Sequence, residues 1–418
     1  MTRNWLILAD DLTGAADCGI AFARRGLEAS VSWHGVATAP SAEVVAIDAD
    51  SRRLSPEEAA MRHAALLRTH HAAETGLIKK IDSTLRGQPA AELAATMHAL
   101  REAGRPALAI VAPAFPATGR TTEGGRVHMN GQPLETTPLW ARDHSYDSAH
   151  LQTVLQSVGL SARALPLDLL RQGESALAEA LRAALAEGFD AVVCDATTPG
   201  DLDTLARASL PMAGKVFWVG SGGIAAALAA ALPDATAPKD LAIPALRGGV
   251  LIVVGSIAEA SRSAAERLVA QEAAAHFAIP PAVLRAGPTD PRWAPVAEGI
   301  AASLAEGRDT LVLIADDRGA DLAQGAALAV ALAALLAPAA IRMGGLFATG
   351  GETACALLTQ LGVHGIRLME EVEAGVPLGI TQGALEVPVM TKAGAFGNDE
   401  TILRSLVRLR QLSRTSPA

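Results

Sequence analysis

Short apolar runs alternate with longer stretches of helical periodicity along the first half of the chain. The apolar runs predict buried strands, and the stretches between them predict helices. The predicted strands cover residues 5–9, 29–36, 44–48, 77–80, 107–112, 191–194 and 216–219. The predicted helices extend to Arg25 after the first strand and cover residues 56–69, 89–103, 151–158, 175–187 and 224–232. Because this alternation is typical of a parallel sheet covered by helices, we predict an α/β fold.

The alternating pattern breaks at residues 233–249, which are rich in Pro, Asp, Thr, Lys and Gly. Such a composition is typical of a linker between domains. Predicted strands then resume at residues 250–254, 310–314, 346–349 and 387–391, with helices that end at 268, cover 354–361 and start at 399. We therefore predict two domains, residues 1–245 and 246–418, each with a largely parallel sheet flanked by helices.

Local signals predict how two helices of the first domain begin. Ser55 lies three residues before Glu58, with proline at the first helical position, which is the pattern of a capping box. Asp10 and Asp11 directly follow the first predicted strand, and adjacent carboxylates raise each other's pKa unless a cation, a metal or donors compensate them. We predict that one of them caps the next helix and that the other is free to meet Lys80 or a polyol hydroxyl.

One long segment, residues 113–143, shows no clear periodicity and is rich in Gly, Pro, Thr and Arg. Long irregular loops in compact domains are usually functional or disordered. The spaced apolar residues Val127, Leu134 and Leu139 favour an ordered segment. Arg120 in this loop is a candidate for a bidentate contact with a carboxylate.

The overall charge limits the classes of ligand. The 418 residues carry 35 Lys and Arg against 44 Asp and Glu, a net charge of −9, which argues against a general binder of nucleic acid or acidic membranes. The three cysteines are far apart and form no Cys-x-x-Cys pair, which argues against zinc and disulfide frameworks and favours a reducing compartment. An anionic ligand must therefore be held by a local cluster.

Two apolar stretches could be mistaken for membrane segments. Residues 5–9 are followed at once by two aspartates, unlike the apolar region of a signal peptide, so we predict a cytoplasmic protein. Residues 322–341 are uncharged and long enough to cross a bilayer, but they are mostly alanine and include Pro338. Because alanine gains little from lipid, we predict a buried helix there.

Polar residues concentrate where the strand at 77–80 gives way to the next helix. Lys80, Asp82, Ser83 and Arg86 combine two cations, a carboxylate and a hydroxyl in residues 77–87. Open α/β sheets bind ligands beyond the carboxyl ends of their strands, where the N–H groups of a following helix favour anions. The alternative is a solvated turn with a local ion pair between Asp82 and Arg86.

Glycine-containing turns follow three predicted strands of the second domain. They are Gly255-Ser256, Gly350-Gly351-Glu352-Thr353 and the segment 392–397, which contains Lys392, Gly394 and Gly397. Glycines let the backbone approach a polyphosphate, and a helix that starts there favours negative charge. None of the three is a Walker A motif or a Gly-x-Gly-x-x-Gly motif, so the pattern alone does not name a nucleotide.

In combination these motifs resemble the four-carbon acid sugar kinase family. Residues 9–15, 79–87, 112–116 and 119–120 are similar to its sugar-acid-binding domain, and residues 255–256, 350–353 and 392–397 are similar to its nucleotide-binding domain. Members transfer phosphate from ATP to the terminal hydroxyl of threonate, erythronate or 3-oxo-tetronate. The form of residues 79–87 is more similar to the threonate and erythronate kinases.

The resemblance implies an active site in the cleft between the domains, with ATP and Mg²⁺ as cofactors. It implies that Lys80, Arg86 and Arg120 hold the substrate carboxylate. The hydroxyl groups of the substrate would be bound by Asp10, Asp11 and Asp82, of which Asp11 or Asp82 is the candidate catalytic base. The implied nucleotide contacts are Ser256, Gly350, Gly351, Glu352, Thr353, Gly394 and Gly397. Metal ligands are left unassigned, because Mg²⁺ is held largely by phosphates and water.

Other functions stay open at this point. A 3-oxo-tetronate kinase is one, and a ribokinase-like sugar kinase is another, because residues 394–399 loosely resemble a glycine-rich anion hole followed by aspartate. A sensing module that binds a hydroxy acid and a nucleotide without turnover is the non-enzyme alternative. We expect no nucleic-acid or membrane partner, and the Ala-rich helices leave a homodimer open.

Overall fold

The computed structural model describes residues 4–33, 42–142, 146–233, 248–256, 258–271, 274–315, 325–394 and 396–415. The chain divides into two compact units, Met1–Pro238 and Lys239–Ala418. The predicted boundary between residues 245 and 246 and the predicted strand residues 34–36 lie outside the described residues. The domain limits and the active site between the domains stay predictions.

The first unit contains a parallel sheet with the strand order β2-β3-β1-β4-β11-β5-β10-β9. The described strands of this unit are β1 (Trp5–Ala9), β2 (Ala29–Trp33), β3 (Val44–Asp48), β4 (Gly76–Lys80), β5 (Leu108–Ala112), β6 (Arg120–Glu123), β7 (Arg126–Met129), β8 (Gln132–Pro133), β9 (Ala162–Leu165), β10 (Ala191–Cys194) and β11 (Val216–Gly220). The central strands are buried along their whole length, as expected of a sheet covered on both faces.

Helices accompany this sheet. They are α1 (Leu12–Ala23), α2 (Pro56–His70), α3 (Pro89–Glu102), α4 (Pro138–Arg142), α5 (Leu151–Gln156), α6 (Leu167–Leu170), α7 (Glu174–Ala186), α8 (Pro199–Ser209) and α9 (Gly222–Ala231). The predicted capping box at the start of α2 is confirmed, because Ser55 accepts a hydrogen bond from the Glu58 N–H and Glu58 bonds back to Ser55. Apolar side chains of α3 and α5 pack with those of the sheet in one core.

The aperiodic segment 113–143 contains a small antiparallel sheet with the order β6-β7-β8, which we did not predict. Its strands have two to four residues, too few for an alternating pattern to stand out. The turn between β7 and β8 is Asn130-Gly131, and both residues have positive φ. An Asn-Gly pair is a strong hairpin signal, so this turn was readable from the sequence.

The second unit has the strand order β13-β14-β12-β15-β18-β17-β16. Its described strands are β12 (Val250–Val254), β13 (Ala275–Ile279), β14 (Thr310–Ile314), β15 (Gly345–Thr349), β16 (Val363–Glu373), β17 (Val376–Gly383) and β18 (Pro388–Lys392). Strand β17 is antiparallel to both neighbours, and the other pairs are parallel. The β16–β17 hairpin is an addition to the predicted, largely parallel sheet.

The described helices of the second unit are α10 (Glu259–Ala270), α11 (Pro281–Ala286), α12 (Trp293–Ala305), α13 (Gly325–Ala340), α14 (Gly351–Gln360) and α15 (Thr401–Thr415). Helix α13 forms from the uncharged stretch and buries Leu328, Leu332 and Leu336. Within the described part of the chain, no helix is both long and apolar enough to span a bilayer.

Candidate functional site

Three neighbouring parallel strands bring the candidate residues of the first unit together. Strand β1 lies between β3 and β4, so the residues that follow the three strands meet at one edge of the sheet. The backbone N–H groups of Ser51 and Arg52 donate to the Asp10 carbonyl at 3.1 and 3.3 Å. The segment after β3 is thereby fastened beside the two aspartates that follow β1.

Arg52 is the centre of this cluster, and we did not predict it from the sequence. Its Nε donates to Asp10 Oδ2 at 2.7 Å, its Nη1 donates to Asp11 Oδ2 at 2.8 Å, and its Nη2 lies 3.6 Å from Asp82 Oδ2. One planar guanidinium therefore joins carboxylates from two strand ends. The sequence did show that Arg52 follows a predicted strand. Its proximity to the aspartates could not be predicted, because that depends on the strand order β3-β1-β4.

The Asp82 carboxylate has partners on both oxygens. Oδ1 accepts hydrogen bonds from the N–H and the hydroxyl of Thr84, each at 2.7 Å. Oδ2 accepts a hydrogen bond from Arg86 Nε at 2.6 Å. The ion pair of the alternative interpretation is thus present, but the turn that carries it is buried and not solvated. Burial raises the pKa of Asp82, but Arg86, Arg52 and Lys80 hold that pKa far below its usual range. Asp82 is therefore ionised and fully engaged within the protein.

Asp11 caps helix α1, as predicted for one of the two aspartates. It accepts hydrogen bonds from the Gly14 N–H at 2.9 Å and the Thr13 hydroxyl at 2.8 Å. Burial raises its pKa, whereas Arg52 and Lys80 lower it, and the net result is a pKa below the ordinary value. Like Asp82, Asp11 is an ionised carboxylate with protein partners.

Asp10 differs from the other two carboxylates because one of its oxygens lacks a hydrogen-bond donor among the described residues. Its side chain is buried, and Oδ1 has no hydrogen-bond partner among the described residues. Lys80 Nζ lies 3.9 Å from this oxygen, as predicted for the aspartate that does not cap the helix. A buried carboxylate oxygen without a donor is costly unless a ligand supplies one.

The cations of the cluster differ in their access to solvent. Burial lowers the pKa of Lys80, but Asp10 and Asp11 raise it above the ordinary value, so the amine is protonated. The Lys80 side chain is 7% exposed, whereas those of Arg52 and Arg86 are 22% and 29% exposed. The two arginines therefore present the accessible donors.

Arg120 lies in β6, and its Nη1 donates to the carbonyl of Thr118. Burial lowers the pKa of Arg120, while the charge of Asp82 raises it and that of Arg86 lowers it. The pKa of Arg120 is therefore sensitive to the charges of Asp82 and Arg86.

In the second unit, the ends of β12, β15 and β18 meet because β15 lies between the other two strands. Gly350 follows β15 with a φ of 97°, a conformation that glycine adopts readily. The sequence predicts that helix α14 begins at Ala354, but in the structure it begins directly after Gly350, at Gly351. Glu352 and Thr353 thus lie in its first turn, where backbone N–H groups are unpaired by the helix itself.

The segment 392–397 packs against the end of β12. A Cβ atom on Gly394 would clash with the Ser256 hydroxyl, so the Ser256 side chain packs directly against the Gly394 backbone. Gly397 lies four residues before the start of α15 and also has positive φ. Ser256 therefore lies close both to Gly350, which directly precedes α14, and to Gly394.

The Lys392 side chain points into the segment 392–397. It is almost fully buried, and its Nζ donates to the carbonyls of Ala393, Gly394 and Phe396 at 2.9, 3.2 and 2.6 Å. Burial lowers its pKa to about 8. Through these three hydrogen bonds Lys392 holds the glycine-containing segment in shape.

Comparison with known proteins agrees with this division of chemistry. The model of a sugar-binding N-terminal domain matches residues 5–228, and that of a nucleotide-binding C-terminal domain matches residues 251–402. The chain is 44% identical to the D-threonate kinase of Cupriavidus necator over 407 residues, 96% of each chain. The chain belongs to the four-carbon acid sugar kinase family.

Other members of the four-carbon acid sugar kinase family are also similar to this chain. The D-threonate kinase of Bordetella bronchiseptica is 35% identical, with 97% of each chain covered. The D-erythronate kinase of Heliobacterium modesticaldum is 32% identical, with 95% of each covered. The crystal structure of Haemophilus influenzae protein HI1011 superposes with a TM-score of 0.72 at 19% identity, covering 97% of this chain and 100% of that one, which shows the shared fold.

No three His, Cys, Asp or Glu side chains within the described ranges form a group that could hold a metal ion. A kinase of this family uses ATP, whose phosphates are themselves the preferred ligands of Mg²⁺.

Proposed function

We propose that this chain is an ATP-dependent kinase that phosphorylates the terminal hydroxyl of D-threonate, with D-erythronate as the next candidate substrate. Full-length similarity to two D-threonate kinases supports the substrate class. The observation that carries the proposal is the cluster beyond β1, β3 and β4. It combines the partly exposed arginines Arg52 and Arg86 with a buried oxygen of Asp10 that has no hydrogen-bond partner among the described residues. An aldonic acid has the matching groups, a carboxylate and a row of hydroxyls.

The substrate carboxylate binds the accessible faces of Arg52 and Arg86, with Arg120 as a third contact. Arginine is suited to this role because its planar guanidinium pairs with carboxylates through two parallel hydrogen bonds. Lys80 is less exposed, and its charge compensates Asp10 and Asp11. Asp11 and Asp82 act on the substrate through the arginines that they orient.

Asp10 accepts the hydrogen bond from the hydroxyl that attacks the phosphate. Phosphoryl transfer needs alignment and charge neutralisation more than a strong base. Asp11 and Asp82, our first candidates for the base, have their oxygens engaged by protein donors. Asp10 Oδ1 can accept the substrate hydroxyl without breaking a hydrogen bond to the protein.

ATP binds the second unit at the start of α14. The N-terminus of that helix favours phosphate oxygens, and Thr353 contributes a hydroxyl. The remaining proposed contacts are Ser256, Gly350, Gly351, Glu352, Gly394 and Gly397. Mg²⁺ is held by the ATP phosphates and water, and when bound it neutralises the charge on the phosphates.

The test is ADP release by the purified protein with Mg-ATP and a panel of D- and L-threonate, D- and L-erythronate, 3-oxo-tetronate and ribose. We expect turnover with D-threonate. Turnover of ribose alone would support a ribokinase-like enzyme. ATP binding without ADP release on any acid would support the sensing module.

Replacement of Gly394 with alanine is expected to raise the KM for ATP about tenfold, because the new methyl group displaces Ser256. The KM for the sugar acid should change little. Gly200→Ala is the matched control, since its Cβ would meet its nearest neighbouring atom at 3.8 Å. Steady-state kinetics with each substrate varied in turn give both constants, and an unchanged KM for ATP would remove Gly394 from the nucleotide site.

A further inference from the structure

Four polar side chains form a buried cluster behind the arginine and aspartate site. They come from the segment after β3, from α2, from β4 and from α3, and each is at most 1% exposed: Ser51, His63, Lys79 and Glu92. We call them the buried quartet. Unlike its neighbour Lys80, Lys79 faces away from the sugar-acid site and into the protein.

Glu92 is the hub of the buried quartet. Its Oε1 accepts a hydrogen bond from the Ser51 hydroxyl at 2.6 Å and lies 3.4 Å from His63 Nε2. Its Oε2 lies 2.6 Å from Lys79 Nζ. Burial raises the pKa of Glu92, but Lys79 and then His63 hold that pKa far below its usual range. The carboxylate is therefore ionised, and each of its oxygens holds a different strand end.

Both strand ends carry residues of the site. Ser51 directly precedes Arg52, and the N–H groups of these two residues hold the Asp10 carbonyl. Lys79 Nζ also donates to the Lys80 carbonyl at 2.9 Å, where the chain leaves β4 for Asp82. The quartet thus includes the residue before Arg52 and donates a hydrogen bond to the backbone of Lys80.

Stability alone is a weak explanation for a buried ion pair in this place. Desolvation of the two charges offsets their attraction, and apolar residues of similar volume often serve as well or better. Apolar residues could not hydrogen-bond to Ser51 or to the Lys80 carbonyl. What the quartet provides, and a hydrophobic core cannot, is a fixed position for the two segments.

We infer that Lys79 and Glu92 are positioning residues. Glu92, through Ser51, sets the place of Arg52 for sugar-acid binding, and Lys79 sets the place of Lys80, whose charge compensates Asp10 and Asp11. This role rests on the proposed function. Misplacement of a substrate-holding group by a fraction of an ångström to one ångström weakens the reaction without removing any contact residue. Loss of the quartet should therefore affect the sugar acid and spare ATP.

The experiment compares Glu92→Gln with the double variant Lys79→Met/Glu92→Leu. The single variant leaves a buried ammonium without its carboxylate and is expected to lower the melting temperature, whereas the double variant removes both charges and should recover it. We expect the KM for D-threonate to stay raised about tenfold in the double variant, with the KM for ATP within about twofold of wild type. Glu102→Gln, on the exposed end of α3, is the control.

A double variant with wild-type melting temperature and wild-type KM for D-threonate would overturn the inference. If the double variant does not fold, Ser51→Ala decides the question, since it leaves the ion pair in place and removes one tether. A KM for D-threonate raised about threefold to tenfold in Ser51→Ala supports the inference, and an unchanged KM overturns it. Wild-type protein without ADP release on any acid would overturn the proposed function and this inference with it, whereas active wild type with unaffected variants overturns this inference alone.

Discussion

Asp10→Asn is expected to lower kcat for the sugar acid by about 10²–10⁴-fold, the usual contribution of a positioned proton acceptor. The amide keeps the size of the carboxylate, but it places either a weaker acceptor or an N–H donor where the Oδ1 atom of Asp10 lacks a partner. The KM for ATP should be unchanged, because Asp10 belongs to the sugar-binding unit. ADP release at saturating D-threonate measures the effect.

Asp50→Asn is the matched control for this substitution. Asp50 lies in the same segment as Arg52, but its side chain is 62% exposed, and its φ of 47° is one that asparagine tolerates well. The control should retain wild-type kcat. If Asp10→Asn also retains it, the attacking hydroxyl has another acceptor, and Asp11 or Asp82 returns as the candidate base.

Arg52→Met is expected to raise the KM for D-threonate about 100-fold or more, because it removes a carboxylate-binding group and frees aspartates that this group holds in place. Loss of the guanidinium also raises the pKa of Asp11 and Asp82, since Arg52 is one of the charges that lower both. Isothermal titration with D-threonate and steady-state kinetics measure the loss directly.

Arg52→Lys separates charge from geometry in this prediction. A lysine ammonium restores the charge but cannot reach Asp10, Asp11 and Asp82 together as the planar guanidinium does. We expect only partial recovery of binding. The neighbouring Arg53, which is exposed, provides the control Arg53→Met. Equal behaviour of the Arg52 and Arg53 variants would show that the cluster does not bind the acid.

Much of the fold was readable from local sequence. The strands at residues 5–9, 44–48 and 191–194 were predicted with the limits that the structure shows. Strands buried on both faces are continuous apolar runs, so their signal is strong. A helix cap by either Asp10 or Asp11 and the capping box at Ser55 were also predicted, since both depend on residues within one helical turn.

The elements that escaped prediction have weaker or longer-range signals. The strands of the β6-β7-β8 sheet are too short to show a period, and their stability comes from pairing with one another. The start of α14 was placed three residues late, because the positive φ of Gly350 that permits an earlier start is a property of the folded backbone.

The sequence by itself determined most strands of the two parallel sheets and the helices that follow them. It also indicated two domains, three glycine-containing turns, and Asp10, Lys80 and Asp82 as candidates for the site. Only the tertiary structure decided that Arg52 joins them, because that follows from the order β3-β1-β4, and strand order is a property of the whole sheet. It also decided the opposite directions of Lys79 and Lys80 and the inward direction of Lys392. The physical reason is that backbone conformation is encoded by neighbours in the chain, whereas the partner of a buried charge is chosen by neighbours in space.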